Sequence, residues 1–308
     1  MWQDAIFSVI AVTQILKFVC MNFLTIFTIF SYSGFDGKAV LRSTVREFLV
    51  SEAMHHLGVS TSRALSIVTT GQEIRRPWYA ASTDGMIEGS DREYANKNRG
   101  GKFSPDTLKR EPGAVMCRTA KSFLRFSQLE LFAIRGEFDE LLTLADYVCY
   151  REYPHLMDID PARERYIELF RCVARQCARL ITSWMRVGYT QGNMNSDNTL
   201  LGGRTVDYGP YGWMETFDPF YQPFTSDSDG KFCFIRQPNA MAVNVNVLGK
   251  QVFERLIKHI CGDDHEAAIV GCNDIKQIAE TEFENFFMED YRDMQKRKLG
   301  VNGDGMFI

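Results

Sequence analysis

Apolar residues recur at helical spacing through most of the C-terminal half of the chain. The pattern predicts helices at 127–135, 138–151 and 161–187, followed by three or four amphipathic helices within 239–299. Asp160 and Pro161 are residue types that favour the start of the long helix, as its N-cap and its first-turn residue. The C-terminal half is therefore predicted to be helical, with a broad buried face on its longest helix.

The N-terminal half mixes helix and strand patterns. Residues 38–57 carry apolar positions at helical spacing, whereas 63–69 and 114–119 have the composition of strands. Between these strands, 71–112 is poor in apolar residues and rich in Gly, Asp, Lys, Asn and Arg, so we expect a long, mobile surface insertion. The whole chain is therefore predicted to be an α+β protein.

Residues 5–31 form an apolar run that is long enough to cross a bilayer. Three interpretations stay open: a membrane anchor, one or two buried strands, or a gene-start artefact unrelated to the rest of the chain. The run lacks the charged start and the cleavage site of a signal peptide, and it lacks the Arg and Ser content of a mitochondrial transit peptide.

Composition excludes several classes of function. The 308 residues are 45% hydrophobic and 24% charged, which suits a globular protein with a substantial core. The net charge of −4 gives no overall basic field, so no nucleic-acid partner is expected. The eight cysteines include no Cys-x-x-Cys string, so neither a zinc site nor a disulfide framework is predicted.

The candidate chemistry lies within 188–213. Here Asp197 and Asn198 precede a pair of leucines, a Gly-Gly break and a short apolar stretch that runs into Asp207 of an Asp-Tyr-Gly string. We expect a hairpin that brings Asp207 beside Asp197 and Asn198. Two carboxylates and one amide are hard oxygen ligands that suit Mg²⁺, and protein kinases combine the same residue types. Each string is also typical of an ordinary turn, and that interpretation stays open.

Three more charged residues are candidates. Glu47 lies in the middle of the predicted helix 38–57, where a kinase carries the Glu of its regulatory helix, although a solvated Glu is the alternative. Arg118 and Arg125 are seven residues apart, and arginine forks suit phosphate oxygens. Surface arginines without a ligand are the alternative.

Several long strings resemble the selenoprotein O family of protein adenylyltransferases. They are DGKAVLRSTVREFLVSEAMHHLGVSTSRALSIV at 36–68, EPGAVMCR and FLRF within 111–126, VGYTQGNMNSDN at 187–198, VDYGPYGW at 206–213 and SDSDGKFCFIRQP at 226–238. The resemblance extends over roughly residues 32–300.

The resemblance implies a protein-kinase-like, two-lobed fold with an incomplete small N-lobe and a mainly helical C-lobe. The expected divisions are an apolar segment at 1–31, a partial N-lobe at 32–126, a helical C-lobe at 127–300 that contains the catalytic loop 188–213, and a tail at 301–308. The family's Gly-rich segment and lobe lysine, and its C-terminal redox motif, have no match here, so the chain is expected to be truncated at both ends.

The resemblance also implies an activity. The family binds ATP in flipped orientation and transfers AMP to Ser, Thr or Tyr hydroxyls of proteins. The implied cofactor is Mg²⁺, with Mn²⁺ as the alternative ion. A catalytically impaired, pseudokinase-like binding module is the alternative function, because the lobe lysine is not found. A mitochondrial location is implied by the family, and a cytoplasmic or membrane-tethered location is the alternative.

The family's site residues can be carried over by motif. Asp197 would be the catalytic base, and Asn198 and Asp207 would be metal ligands, with Asp207 also in the nucleotide site. The remaining nucleotide-binding residues implied by the motifs are Asp36, Gly37, Glu47, Arg118 and Arg125. Among these, Glu47 would be the regulatory-helix Glu that pairs with the lobe lysine.

Overall fold

A computed structural model describes residues 20–24, 38–77, 108–224 and 227–301. The described residues divide into two compact units. The sheet unit includes 38–49, 64–77 and 108–118, and the helical unit includes 50–63 and 119–301. The predicted α+β class is confirmed.

Strand β4 is the central strand of a four-stranded sheet. The strands are β1 (Cys20–Leu24), β2 (Ala39–Val40), β3 (Arg63–Pro77) and β4 (Leu108–Ala120). β4 pairs with each of the other three. Its pairing with β2 is antiparallel, with Ala39 opposite Ala114. Helix α1 (Leu41–His56) follows β2 directly, and Ile74 and Met116 are among the buried residues of the sheet unit.

The strands correct one prediction. The expected insertion at 71–112 is shorter at both ends, because residues 71–77 belong to β3 and 108–112 to β4. Of residues 71–75 only Ile74 is buried, so a strand with one mostly solvated face looked like a loop in the sequence. The centre of the expected insertion, 78–107, lies outside the described residues.

The apolar run 5–31 is described only in part. Residues 20–24 form β1, and the rest of the run lies outside the described residues. Within the part of the chain that the structure describes, no helix is both long and apolar enough to span a membrane.

The helical unit is built from seven helices in the described residues. They are α2 (Phe126–Arg135), α3 (Phe138–Glu152), α4 (Ala162–Arg186), α5 (Gln237–Leu248), α6 (Glu254–Cys261), α7 (His265–Gln277) and α8 (Phe283–Leu299). π-helical turns at Gly249–Phe253 and Ile278–Glu282 connect α5 to α6 and α7 to α8. The helices predicted from periodicity are confirmed to within a residue or two.

Helix α4 runs through the core of this unit. It buries thirteen of its 25 residues, and the ring of Phe170 packs on Phe253 with centroids 4.9 Å apart. Its start differs from the prediction by one residue: Pro161 is the N-cap, not Asp160, and no side chain caps the helix. Two short antiparallel strands, β5 (Tyr189–Gln191) and β6 (Tyr211–Trp213), follow α4 and enclose the candidate segment.

Candidate active site

The segment 188–213 is closed at its base by β5 and β6. Gln191 lies opposite Tyr211 in this pair, and the N–H of Gly192 donates to the carbonyl of Pro210 at 2.8 Å. The backbone that enters the loop is thus hydrogen-bonded to the backbone that leaves it. The residues between these strands form one loop whose two ends are fixed together.

A tight turn lies at the centre of this loop. Gly203 N–H donates to the Leu200 carbonyl at 3.0 Å, and Thr199 bridges Thr205 in antiparallel fashion. The predicted turn is therefore present, but a single bridge replaces the two predicted strands. The side chain of Thr205 also accepts a hydrogen bond from the indole N–H of Trp184 at 2.9 Å, which ties this flank of the turn to α4.

The bridge joins the two segments that carry the aspartates. Asp197 lies two residues before Thr199, and Asp207 lies two residues after Thr205. An antiparallel bridge holds two backbones side by side where it forms, and Asp197 itself lies in the 3₁₀ turn Ser196–Asn198. The pairing of Thr199 with Thr205 therefore links the two flanks of the turn at a point two residues from each aspartate.

Asn198 is oriented by its own amide. It lies in the 3₁₀ turn Ser196–Asn198, and its Nδ2 donates to the carbonyl of Asn193 at 3.1 Å. Since the amide nitrogen is used in this bond, the oxygen Oδ1 points the other way and keeps its capacity to accept. An asparagine that ligates a metal ion does so through this oxygen.

Asp207 is held at both its backbone and its carboxylate. Its carbonyl accepts from Nε2 of Gln191 at 2.8 Å, and its Oδ1 accepts from the N–H of Gly209 at 3.0 Å. Gln191 is almost fully buried, and its Oε1 accepts from the hydroxyl of Tyr189. A buried chain of hydrogen bonds therefore sets the backbone position of Asp207 and leaves Oδ2 as the carboxylate oxygen for a ligand.

Asp197 is the exposed member of the set. Its backbone carbonyl accepts from Nη1 of Arg125 at 2.7 Å, so one of the two predicted phosphate-binding arginines contacts the candidate catalytic turn. Arg125 is also the residue at which α2 is capped. The side chain thus connects the start of α2 to the turn that carries Asp197.

Glu130 is a site neighbour that sequence reasoning missed. Burial raises the pKa of its carboxyl, a hydrogen bond with Ser196 lowers it, and the charge of Asp197 raises it further. Its Oε1 is buried and has no hydrogen-bond partner within the described chain. A glutamate on an amphipathic helix gives no sequence signal for such a place, because most are solvated.

The sheet unit contains the other charged candidates. Glu47 on α1 forms an ion pair with Arg118 on β4, and the Arg118 side chain is only 3% exposed. The sequence offered no lysine for Glu47, and the structure provides an arginine at this position. Arg118 is accordingly engaged within its own unit. Asp36 and Gly37, the other predicted nucleotide-binding residues, lie outside the described residues.

The donor set of the turn fits a hard cation. It offers Asn198 Oδ1, Asp207 Oδ2 and the Asp197 carboxylate, which are all oxygens, and Mg²⁺ prefers such ligands. Among the described residues, no cluster of three or more His, Cys, Asp or Glu side chains could hold a metal ion. That finding does not bear on a set of two aspartates and one asparagine.

These features define an α+β protein whose helical unit presents a carboxylate–amide turn at the end of its central helix. The family model described as "Protein adenylyltransferase SelO" matches residues 27–86 and 101–305. The chain belongs to this family, as the resemblance implied.

Curated relatives agree with that assignment. Proteins named "Protein nucleotidyltransferase YdiU" are 42% identical over 219 residues in Methylobacillus flagellatus, 42% over 225 residues in Tolumonas auensis and 41% over 219 residues in an Azoarcus strain. These alignments cover 71%, 73% and 71% of this chain, but 38%, 38% and 37% of the relatives. The chain thus spans less than two-fifths of the length of these relatives.

The relatives also bear on two expectations. They are named as nucleotidyltransferases, which does not favour the alternative of an impaired binding module. They are bacterial proteins, so they give no support to the expected mitochondrial location.

Proposed function

We propose that this chain carries the catalytic turn of a protein adenylyltransferase, which transfers AMP from ATP to Ser, Thr or Tyr hydroxyls of proteins. The observation that carries the proposal is the Thr199–Thr205 bridge, which joins the two segments that carry Asp197 and Asp207, each aspartate two residues from the bridge. The family match and the names of the relatives support the reaction class.

The proposed fold is kinase-like. In this proposal the sheet unit corresponds to a partial N-lobe and the helical unit to the C-lobe, with the turn directly after the central helix α4. The order of the two units along the chain supports this correspondence. A sheet and a helix that carries Glu47 come first, and a helical unit that carries the acidic turn comes after them.

Each residue of the turn has a proposed role. The hydroxyl oxygen of the substrate protein attacks the α-phosphorus of ATP, the bond from that phosphorus to the bridging oxygen of the β-phosphate breaks, and pyrophosphate leaves. Asp197 accepts the proton that the hydroxyl loses, which suits its exposed position in the turn. The carboxylate is then regenerated when that proton passes to solvent.

Asn198 and Asp207 are the proposed metal ligands. The amide of Asn198 and the second carboxylate oxygen of Asp207 are the groups that their hydrogen bonds leave available. When bound, Mg²⁺ or Mn²⁺ would offset the negative charge of the triphosphate. Arg125 contributes positive charge beside Asp197, and guanidinium groups suit phosphate oxygens. Asp36, Gly37 and Arg118 remain proposed nucleotide-binding residues on the strength of their motifs.

The test uses two labels. The chain is incubated with Mg²⁺, candidate substrate proteins and either α-³²P-ATP or γ-³²P-ATP, and protein-bound label is measured. Transfer of AMP gives label only from the α-phosphate, since the β- and γ-phosphates leave together. Label only from the γ-phosphate would mean phosphoryl transfer, and the proposal would be wrong.

A further inference from the structure

A deeply buried ion pair joins the turn to the end of α3. Glu152, the last residue of α3, has a side chain that is 3% exposed. Its Oε1 and Oε2 accept from Nη1 and Nη2 of Arg204 at 2.8 and 2.7 Å, and the hydroxyl of Ser122 also donates to it. Arg204 lies between Thr199 and Asp207, directly after the glycine turn.

The carboxylate of Glu152 stays charged in this place. Burial by itself would raise its pKa, but the hydrogen bonds from Arg204 and Ser122 outweigh burial and lower the pKa below the ordinary value. A bidentate arginine–carboxylate pair fixes the plane and direction of both groups. The pair is thus suited to define where the turn lies.

The backbone of the turn is held from the same side. The hydroxyl of Tyr153, the residue after Glu152, donates to the carbonyl of Leu201 at 2.7 Å. The N–H of Leu201 donates to the carbonyl of Leu124 at 2.9 Å. The end of α3 and the segment before α2 therefore both contact the turn.

Gly202 and Gly203 show how closely the turn approaches its neighbours. A Cβ on Gly202 would lie 2.3 Å from Nη1 of Arg204 and 2.8 Å from the Glu152 carboxylate. Gly203 has φ +60°, and a Cβ there would lie 2.6 Å from Cβ of Gln176 on α4. Only glycine fits these two positions without displacing its neighbours.

We propose that Glu152 and Arg204 are positioning residues, which set the register of the turn and so the placement of Asp197 against Asp207. The pair, called the clamp below, contains none of the residues that are proposed to bind the metal ion or ATP. The expected effect on AMP transfer rests on the proposed function. The expected effect on the position of the turn does not. A displacement of about 1 Å in a catalytic group can cost on the order of 10²-fold in rate.

Two variants distinguish the geometry of the Glu152–Arg204 pair from its charges. Arg204→Lys keeps the positive charge but loses the fork, and Glu152→Gln keeps the shape but loses the negative charge. The matched control is Glu282→Gln, which removes the carboxylate that accepts from Nε of Arg171 at 2.8 Å. The control pair joins α4 to the π-helical turn Ile278–Glu282, so it has similar chemistry on elements other than the glycine turn.

The first readout is steady-state AMP transfer in the full 308-residue chain. In Arg204→Lys and Glu152→Gln we expect kcat to fall at least tenfold and the Mg²⁺ concentration for half-maximal rate to rise, while the KM for ATP changes less than threefold. Glu282→Gln should stay within twofold of the parent chain. Equal losses in all three variants, or unchanged kcat in the two clamp variants, would overturn the inference.

The second readout does not need activity. Hydrogen exchange measured by mass spectrometry should show faster exchange in peptides that cover 196–209 for both clamp variants, with α5 to α8 unchanged, and no such effect in Glu282→Gln. Unchanged exchange at the turn would overturn the positioning role. If the unsubstituted chain transferred label from neither α-³²P-ATP nor γ-³²P-ATP, the proposed function would be wrong. The exchange result would still show whether Glu152 and Arg204 hold the turn in position.

Discussion

Each of the two units contains an arginine–glutamate pair with little exposure to solvent, and the two pairs join different kinds of element. In the helical unit, Glu152 and Arg204 join the end of a helix to a turn, with side-chain exposures of 3% and 18%. In the sheet unit, Glu47 and Arg118 join α1 to β4, with exposures of 15% and 3%.

The comparison shows that the same chemistry can have different consequences. A buried pair adds little net stability over apolar residues of equal volume, but the loss of one partner leaves a charge that is costly to bury. On a regular helix and strand that cost should be felt as lost packing. On a turn, where a single bridge takes the place of a ladder of backbone hydrogen bonds, it should be felt as lost position.

The largest effect is expected at the turn itself. Asp197→Ala should lower the turnover of AMP transfer by on the order of 10²–10⁴-fold, since a positioned general base contributes that much. Binding of ATP with Mg²⁺ should remain, because the proposed ligands Asn198 and Asp207 are unchanged. Rapid-mixing kinetics and calorimetric titration measure the two quantities separately.

Asp207→Ala provides the contrast to that variant. It should abolish metal-dependent nucleotide binding while the chain stays folded, as checked by circular dichroism. If Asp197→Ala removed ATP binding as completely as Asp207→Ala, the roles of the two aspartates would be misassigned.

The next effect is expected in the sheet unit. Arg118→Ala removes one ion-pair partner of Glu47, and the side chain of Arg118 is only 3% exposed. We expect a loss of about 3 kcal/mol in the stability of this unit, the lower end for breaking a buried pair, because Glu47 keeps some access to water. Hydrogen exchange of the β4 amides measures the stability of this unit by itself. Unchanged protection of β4 would show that the pair is not structural.

Sequence reasoning predicted the local features of the helical unit and missed the long-range ones. Helices α2, α3 and α4 were predicted because their apolar faces repeat within the helix. The turn was predicted from its two glycines, and both lie where a side chain would not fit. These signals are carried by neighbouring residues, so the sequence contains them directly.

The residues that hold the turn in place have no such signal. Glu152 and Arg204 are 52 residues apart, and Gln191 contacts the carbonyl of Asp207 from 16 residues away. Each looks like a solvated polar residue until the fold brings its partner near. The extent of β3 was missed for a similar reason, since a strand with one exposed face has the composition of a loop.

A smaller effect of opposite sign is expected at Glu130. Its raised pKa means that the folded chain binds a proton more readily than the unfolded chain between the ordinary value of 4.5 and the folded value. Stability from this group therefore falls as pH rises through that window, and the penalty is complete above the folded pKa. Glu130→Gln should then stabilise the chain at pH 7 by roughly 1 kcal/mol, the low end of the cost of a buried unsatisfied polar group.

The pH dependence checks the sign of that prediction. Thermal midpoints of the two chains should converge below about pH 4, where Glu130 is protonated in both the folded and the unfolded chain. A gain that persisted unchanged at low pH would mean that the substitution acts through packing. A loss of stability at pH 7 would mean that the carboxylate makes favourable contacts as a charge.

The smallest effect is expected from a second arginine on the same strand as Arg118. Arg110 pairs with Glu73 across β4 and β3 at 3.4 Å, and both side chains are more than 60% exposed. Exposed pairs contribute about 0–1 kcal/mol because water and salt screen them. Arg110→Ala should therefore change the protection of the β4 amides by less than about 0.5 kcal/mol. Because Arg110 and Arg118 share a strand and a side-chain chemistry, an equally large loss in both variants would mean that burial is not what distinguishes the Glu47–Arg118 pair.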